Sequence, residues 1–134
     1  MAGYSDGGER TEAMKRRTKQ YALRVIRLVR ALPKTEDGRV MGRQLLRSGT
    51  SVGANYRAVC RARSKKEFVA KCGVVIEEAD ESAFWIELLI ESEVMSARRL
   101  QPLLDETNEI LAIVAAAYYT ARGKRRRSPQ PMSK

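Results

Sequence analysis

Histidine is absent from this 134-residue chain. That removes the commonest general base and the commonest transition-metal ligand. Cysteine is nearly absent too. Cys60 and Cys72 are too far apart for a CxxC redox pair and too few for a metal site. Each falls near an apolar helical stripe, so buried free thiols are expected. The four prolines and nine glycines gather near the ends and in two short stretches, which leaves long segments free to be helical. There is no uninterrupted apolar run of membrane length. The apolar-rich stretch Phe68–Met95 is broken by Lys71, Glu77, Glu78, Asp80, Glu81, Glu87 and Glu91, so no membrane contact is expected. No early segment joins a basic start, an apolar run and a small-residue cleavage site, and the reading is a cytoplasmic protein.

What is present is charge, unevenly placed. The net charge is +10. Residues 1–63 carry +10, residues 64–121 carry −6, and residues 122–134 carry +6. A basic front, an acidic back and a basic tail point to a polyanion partner and to contact with another copy of the chain.

Apolar periodicity gives four helices, and short connections make them an all-α, antiparallel up-and-down four-helix bundle. Residues 1–10 are expected to be a flexible N-terminus, residues 11–122 the bundle and residues 123–134 a disordered basic tail. The first helix spans Thr11 to Leu32, with Met14, Tyr21, Val25, Leu28, Val29 and Leu32 on one side. Arg16, Arg17, Arg24, Arg27, Arg30 and Lys34 lie on the other. The second runs from about Arg39 to Ala62. Its core side is Met41, Leu45, Val52, Tyr56 and Val59, and its basic side is Arg39, Arg43, Arg47, Arg57 and Arg61.

The stretch "RSGTSVGANYRA" inside the second helix resembles a loop in composition. It nevertheless keeps helical register, so it is read as helix. Ser48, Ser51 and Asn55, flanked by Gly49 and Gly53, form a strip for close packing against a neighbouring helix. It is not a P-loop: no GK[ST] ending follows and no strand precedes it. Ser64 and Glu67 form a capping box that opens a third helix at Lys65, reaching toward Ala97. That helix has a core stripe and a second apolar set, Phe84, Trp85, Leu88 and Met95, set among Glu77, Glu81 and Glu91. Two apolar sides on one helix call for a second partner. Pro102 suits the first turn of a fourth helix ending near Arg122.

The runs "QLLRSGTSVGANYRA", "RSKKEF" and "EEADESAFWIELL" resemble the four-helix-bundle family of 23S rRNA intervening-sequence proteins, the S23 type. The similarity covers roughly Tyr21 to Tyr119, with Ser48, Ser51, Asn55 and Trp85 its most specific positions. The resemblance implies a ring, typically a homopentamer. A more distant likeness to the accessory protein of diversity-generating retroelements implies nucleic acid and a reverse transcriptase, or another protein, as partners. Many family members carry an acidic residue where this chain has Ala58, so a family site at that position would be altered here.

Three functions follow from the residues. The first is a non-enzymatic oligomer that binds nucleic acid through the arginines of the first two helices; the family resemblance favours RNA. No aromatic residue interleaves them, which argues against base stacking on that face. The second is a homo-oligomeric scaffold with no nucleic-acid role, in which Phe84, Trp85 and Leu88 dock on a neighbour while Glu77 and Glu81 meet its arginines. The third, an enzyme using Glu77, Glu78, Asp80 and Glu81 as paired carboxylates, is disfavoured, since such acids usually form a solvated or salt-bridged helix face and Ser51 has no base beside it. No cofactor or metal is expected.

Overall fold

The computed structural model describes residues 8–123. Four α-helices account for nearly all of them: α1 (Gly8–Ala31), α2 (Glu36–Cys60), α3 (Lys65–Glu91) and α4 (Ala97–Ala121). Connections of four or five residues force each helix to fold back on the one before it. α2 packs between α1 and α3, α3 packs on α4, and a narrower α1–α4 contact closes the bundle. There is no strand among the described residues.

Local chemistry sets the helix starts. Thr35, Ser64 and Ser96 are N-caps in extended backbone, and each side chain accepts an amide N–H from the first turn. Half of the expected box forms: Ser64 accepts the N–H of Glu67 at 3.0 Å, but the Glu67 carboxylate takes the N–H of Arg63 at 2.6 Å and not that of Ser64. The bounds differ most from the sequence expectation at four helix ends. α2 begins at Glu36, behind the Thr35 cap, and not near Arg39. α1 begins at Gly8, so residues 8–10 are helical and not part of a loose terminus; residues 124–134, the expected tail, lie outside the described residues.

The other two differences share a cause. α3 stops at Glu91 because Glu93 takes a left-handed conformation, φ 61°. The N–H of Glu93 then bonds to the carbonyl of Ile90, and that of Val94 to the carbonyl of Leu89, the Schellman pattern. Ser96 restarts the chain as α4 well before Pro102, which therefore lies inside the helix, one turn later than expected. Its ring removes one ladder bond to Arg98 without breaking the helix.

The core is a single cluster. Tyr21, Val25, Leu45, Val52, Val59, Val75, Ile86, Leu89, Leu100 and Ile110 are all at 1% exposure or less. A polar chain runs through it. The hydroxyls of Tyr21 (α1) and Thr107 (α4) lie 2.6 Å apart, and Ser82 (α3) donates to Ser48 (α2) at 2.8 Å. Each helix contributes one hydroxyl at the same level of the bundle, and no buried side-chain polar atom among the described residues lacks a partner. Satisfied polar groups in an apolar core fix register, because a slid helix would leave them unpaired.

Candidate nucleic-acid interface

The glycines of α2 determine how close α1 comes. A Cβ on Gly49 would lie 2.8 Å from Val25 Cγ2, and one on Gly53 would lie 3.1 Å from the Thr18 carbonyl oxygen. The close packing inferred from the sequence is therefore present, but the strip divides. Gly49 and Gly53 meet α1, whereas Ser48 turns to α3 and Ser82. Ser51 and Asn55 are half-buried, and the Asn55 amide donates to the Ser51 carbonyl of its own helix at 2.9 Å. Of the five residues read as one seam, two glycines meet α1, Ser48 meets α3, and Ser51 and Asn55 bond to each other within α2.

Because α1 and α2 approach so closely, their charged flanks border a common groove. At one end Lys15, Lys19 and Arg57 surround a cavity of about 160 Å³ floored by Thr50, Gly53 and Ala54. At the other, Lys34, Arg39 and Arg43 rim one of about 170 Å³ over Val29 and Leu46. Arg24 and Arg27 face away from this groove, toward α4, where Arg99 joins them around a third cavity. Arg30 and Arg57 lie in the last turns of their helices, where the helix dipole favours a cation. Arg24, Arg27, Arg30, Arg39, Arg43, Arg57 and Arg61 are exposed and form no ion pair among the described residues.

Two arginines behave otherwise. Arg47, expected on the basic face, reaches across to α3 and bonds both Glu78 (3.3 Å) and Glu81. Glu81 is held below the usual carboxylate range, first by Arg47 and then by the indole N–H of Trp85, which donates to it at 3.1 Å. Arg17 bridges to α4. It makes a two-pronged contact with Glu106 at 2.7 and 2.8 Å and a third bond to Glu109 at 2.7 Å. Those bonds raise the Arg17 pKa further and depress that of Glu106, against the opposing effect of burial. Sequence alone could not separate these paired arginines from the free ones, since both kinds occupy polar positions on the same helices.

The residues expected to face a neighbouring copy are also divided. Glu77 is exposed, and Phe84 is 50% exposed with its ring edge-on to Trp85 at 5.1 Å. Trp85 and Leu88 are half-buried, and Trp85 packs on the core. Met95 is buried under the α3–α4 turn and faces no neighbour. Glu81, which the sequence directed at a partner's arginine, is matched by Arg47 of its own chain. Cys72 is buried as expected, and Cys60 is half-buried with its thiol pKa pushed up by burial. Missed by sequence reasoning were Lys15, Lys19 and Arg99. The only signal for Arg99 was the Arg98–Arg99 pair standing out in an acidic segment.

Among the described residues no three His, Cys, Asp or Glu side chains cluster to hold a metal ion. No helix there is long and apolar enough to cross a membrane. The fold and its charged flanks define a four-helix bundle with a basic α1–α2 side. Residues 11–116 match the family described as 23S rRNA-intervening sequence protein, and the chain belongs to that family. A crystal structure from Bacteroides thetaiotaomicron, described as a protein with unknown function from the S23 ribosomal protein family, is similar at 30% identity with a TM-score of 0.75. The match covers 81% of this chain and 96% of that one. No curated protein sequence matches the chain. Neither match names a catalytic activity.

Proposed function

We propose that the protein is a non-enzymatic, ring-forming four-helix bundle that binds nucleic acid through the basic sides of α1 and α2, with RNA preferred. One observation carries the reading: Arg24, Arg27 and Arg30 of α1, Arg39, Arg43 and Arg57 of α2 and Arg61 just beyond it are exposed and in no ion pair among the described residues, while Arg17 and Arg47 turn to α4 and α3. Unpaired cations on α1 and α2, some beside the shared groove and some turned toward α4, suit a phosphate backbone, because each phosphate neutralised releases counterions. Arginine also offers a planar fork for phosphate oxygens. The preference for RNA rests on the family's description. A ring would repeat the face in every subunit and multiply weak contacts.

The test is anisotropy of labelled RNA over a salt series, run beside the particle mass. Affinity should fall steeply with salt, and Arg39→Glu with Arg43→Glu should abolish binding while leaving the mass unchanged. Binding indifferent to salt sinks the reading. A pure scaffold is the second reading, favoured by Phe84, whose ring is half exposed beside Trp85. It requires Phe84→Asp to dissociate the assembly, and the double arginine variant to do the same.

A further inference from the structure

The α1–α4 side holds a cavity of about 250 Å³ lined by Arg24 and Arg27 of α1, Arg99 of α4, and the side chains of Leu28 and Leu103. We infer that it receives one unstacked nucleotide of a single-stranded RNA, with the base on the leucine floor and its phosphate between the guanidinium groups. This deepens the proposed function and rests on it.

Three features of the site support the assignment. The first is that none of its cations is held in an ion pair among the described residues, although Arg24 is near enough to Glu106 to help depress its pKa. Acids lie nearby on α4, but Arg17 holds Glu106 and Glu109, and the Gln101 amide binds Asp105 at 2.9 Å. Arg24, Arg27 and Arg99 form no ion pair among the described residues. Second, Arg99 is in the first turn of α4, the end at which the dipole disfavours a cation. The bundle itself therefore gains nothing from a positive charge there. Third, the apolar part of the floor is the half-buried Leu28 above the nearly covered Leu103, and the volume is small, below the roughly 300–1,000 Å³ of sites that enclose drug-sized ligands. A duplex offers such a concavity only phosphates, because its bases are stacked inward. A single strand can splay one base out, and guanidinium planes stack on bases as well as binding phosphate. The chemistry thus asks for an anion joined to a flat, weakly polar body.

The experiment compares a single-stranded RNA with a duplex of the same length, binding to the full chain and to two variants. Arg99→Ala removes a cation from the cavity. Arg98→Ala removes the same charge one residue away, outside it. Neither change deletes a core contact, and thermal melts check that both variants fold. Arg99→Ala should weaken single-strand binding about tenfold and reduce its salt slope by about 0.7, with a loss on duplex no larger than that of Arg98→Ala. Equal effects of the two variants on single strands, or an equal loss on both RNAs with Arg99→Ala, overturn the nucleotide site and leave the proposed function standing. If the unaltered protein binds neither RNA, the proposed function fails, and this inference with it.

Discussion

Replacing Gly49 and Gly73 separately by alanine makes the same chemical change in the interiors of two helices, and should move stability in opposite directions. In each helix alanine gains about 1 kcal/mol over glycine from backbone entropy alone. At Gly73 of α3 the added methyl would find its nearest neighbour, Tyr118 Cε1, at 3.8 Å, an ordinary contact. That gain should survive intact. At Gly49 of α2 the methyl would lie 2.8 and 2.9 Å from the two γ-carbons of Val25. Val25 is fully buried, and its β-branched side chain is confined to one rotamer in a helix. It cannot swing aside, so the helices must separate or strain. Overpacking of this kind costs about 1–3 kcal/mol. With contacts this short the upper part of that range applies, which leaves a net loss of about 1–2 kcal/mol. Thermal unfolding by circular dichroism at one fixed protein concentration should show Gly73→Ala raised by about 4 °C and Gly49→Ala lowered by a similar amount. Adding Val25→Ala to Gly49→Ala should recover part of the loss, giving a favourable coupling in a double-mutant cycle. If both glycine variants melt higher than the parent, α1 and α2 are not in close contact and the shared groove is misplaced.

Other changes follow from single interactions. Glu93→Gly should raise stability by about 1 kcal/mol in urea unfolding, because glycine holds the left-handed C-cap conformation without the penalty glutamate incurs. Tyr21→Phe should cost about 1 kcal/mol by the same assay. The loss is modest because Thr107 keeps its bond to the Leu103 carbonyl at 2.7 Å. Acid should destabilise the bundle through Glu106 and Glu81, whose folded pKa values lie below the ordinary 4.5. A depressed carboxylate contributes stability above that value and loses it as pH falls through the folded pKa. The melting temperature should therefore drop from about pH 5 toward pH 3, and Glu106→Gln should flatten that limb. An unchanged slope would show that the Arg17 contact is not formed in solution.

The helix count was legible because the apolar positions recur at helical spacing throughout. Phe68, Cys72, Val75, Ile76, Ala79, Ala83, Ile86, Ile90 and Val94 are read as one stripe; six are buried, Ile76, Ile90 and Val94 are half-buried, and Val94 lies past the end of α3. The ends were harder, for reasons specific to each residue. Pro102 is a strong start signal by its missing N–H, whereas the helix in fact starts at the Ser96 cap, one turn earlier. Glu93 occupies a position that usually announces itself as glycine or asparagine, so α3 was extended past its stop. Within the α2 strip, glycine and serine looked equivalent as small residues. Only the three-dimensional arrangement separates them: glycine admits the neighbouring backbone, and serine needs a second hydroxyl across the contact.

Charge pairing shows the same limit and adds a constraint on function. Glu78, Glu81 and Glu106, which are half-buried, and the exposed Glu109 meet Arg47 and Arg17 within the chain. Glu77, Asp80, Glu87 and Glu91 of α3 remain exposed and outside any ion pair among the described residues. One protomer therefore offers an unpaired basic side on α1 and α2 and an unpaired acidic side on α3, and the two are complementary between copies. An arginine engaged by a neighbour's α3 cannot also engage a phosphate. Nucleic-acid binding and head-to-tail assembly through those same arginines thus compete for one set of cations. The proposed function requires assembly to rest mainly on apolar contact around Phe84, with the arginines left over for the polyanion. Exposed ion pairs contribute only about 0–1 kcal/mol each, whereas burying one aromatic ring contributes about 1.5–3 kcal/mol. That difference in scale favours the apolar patch as the seat of assembly.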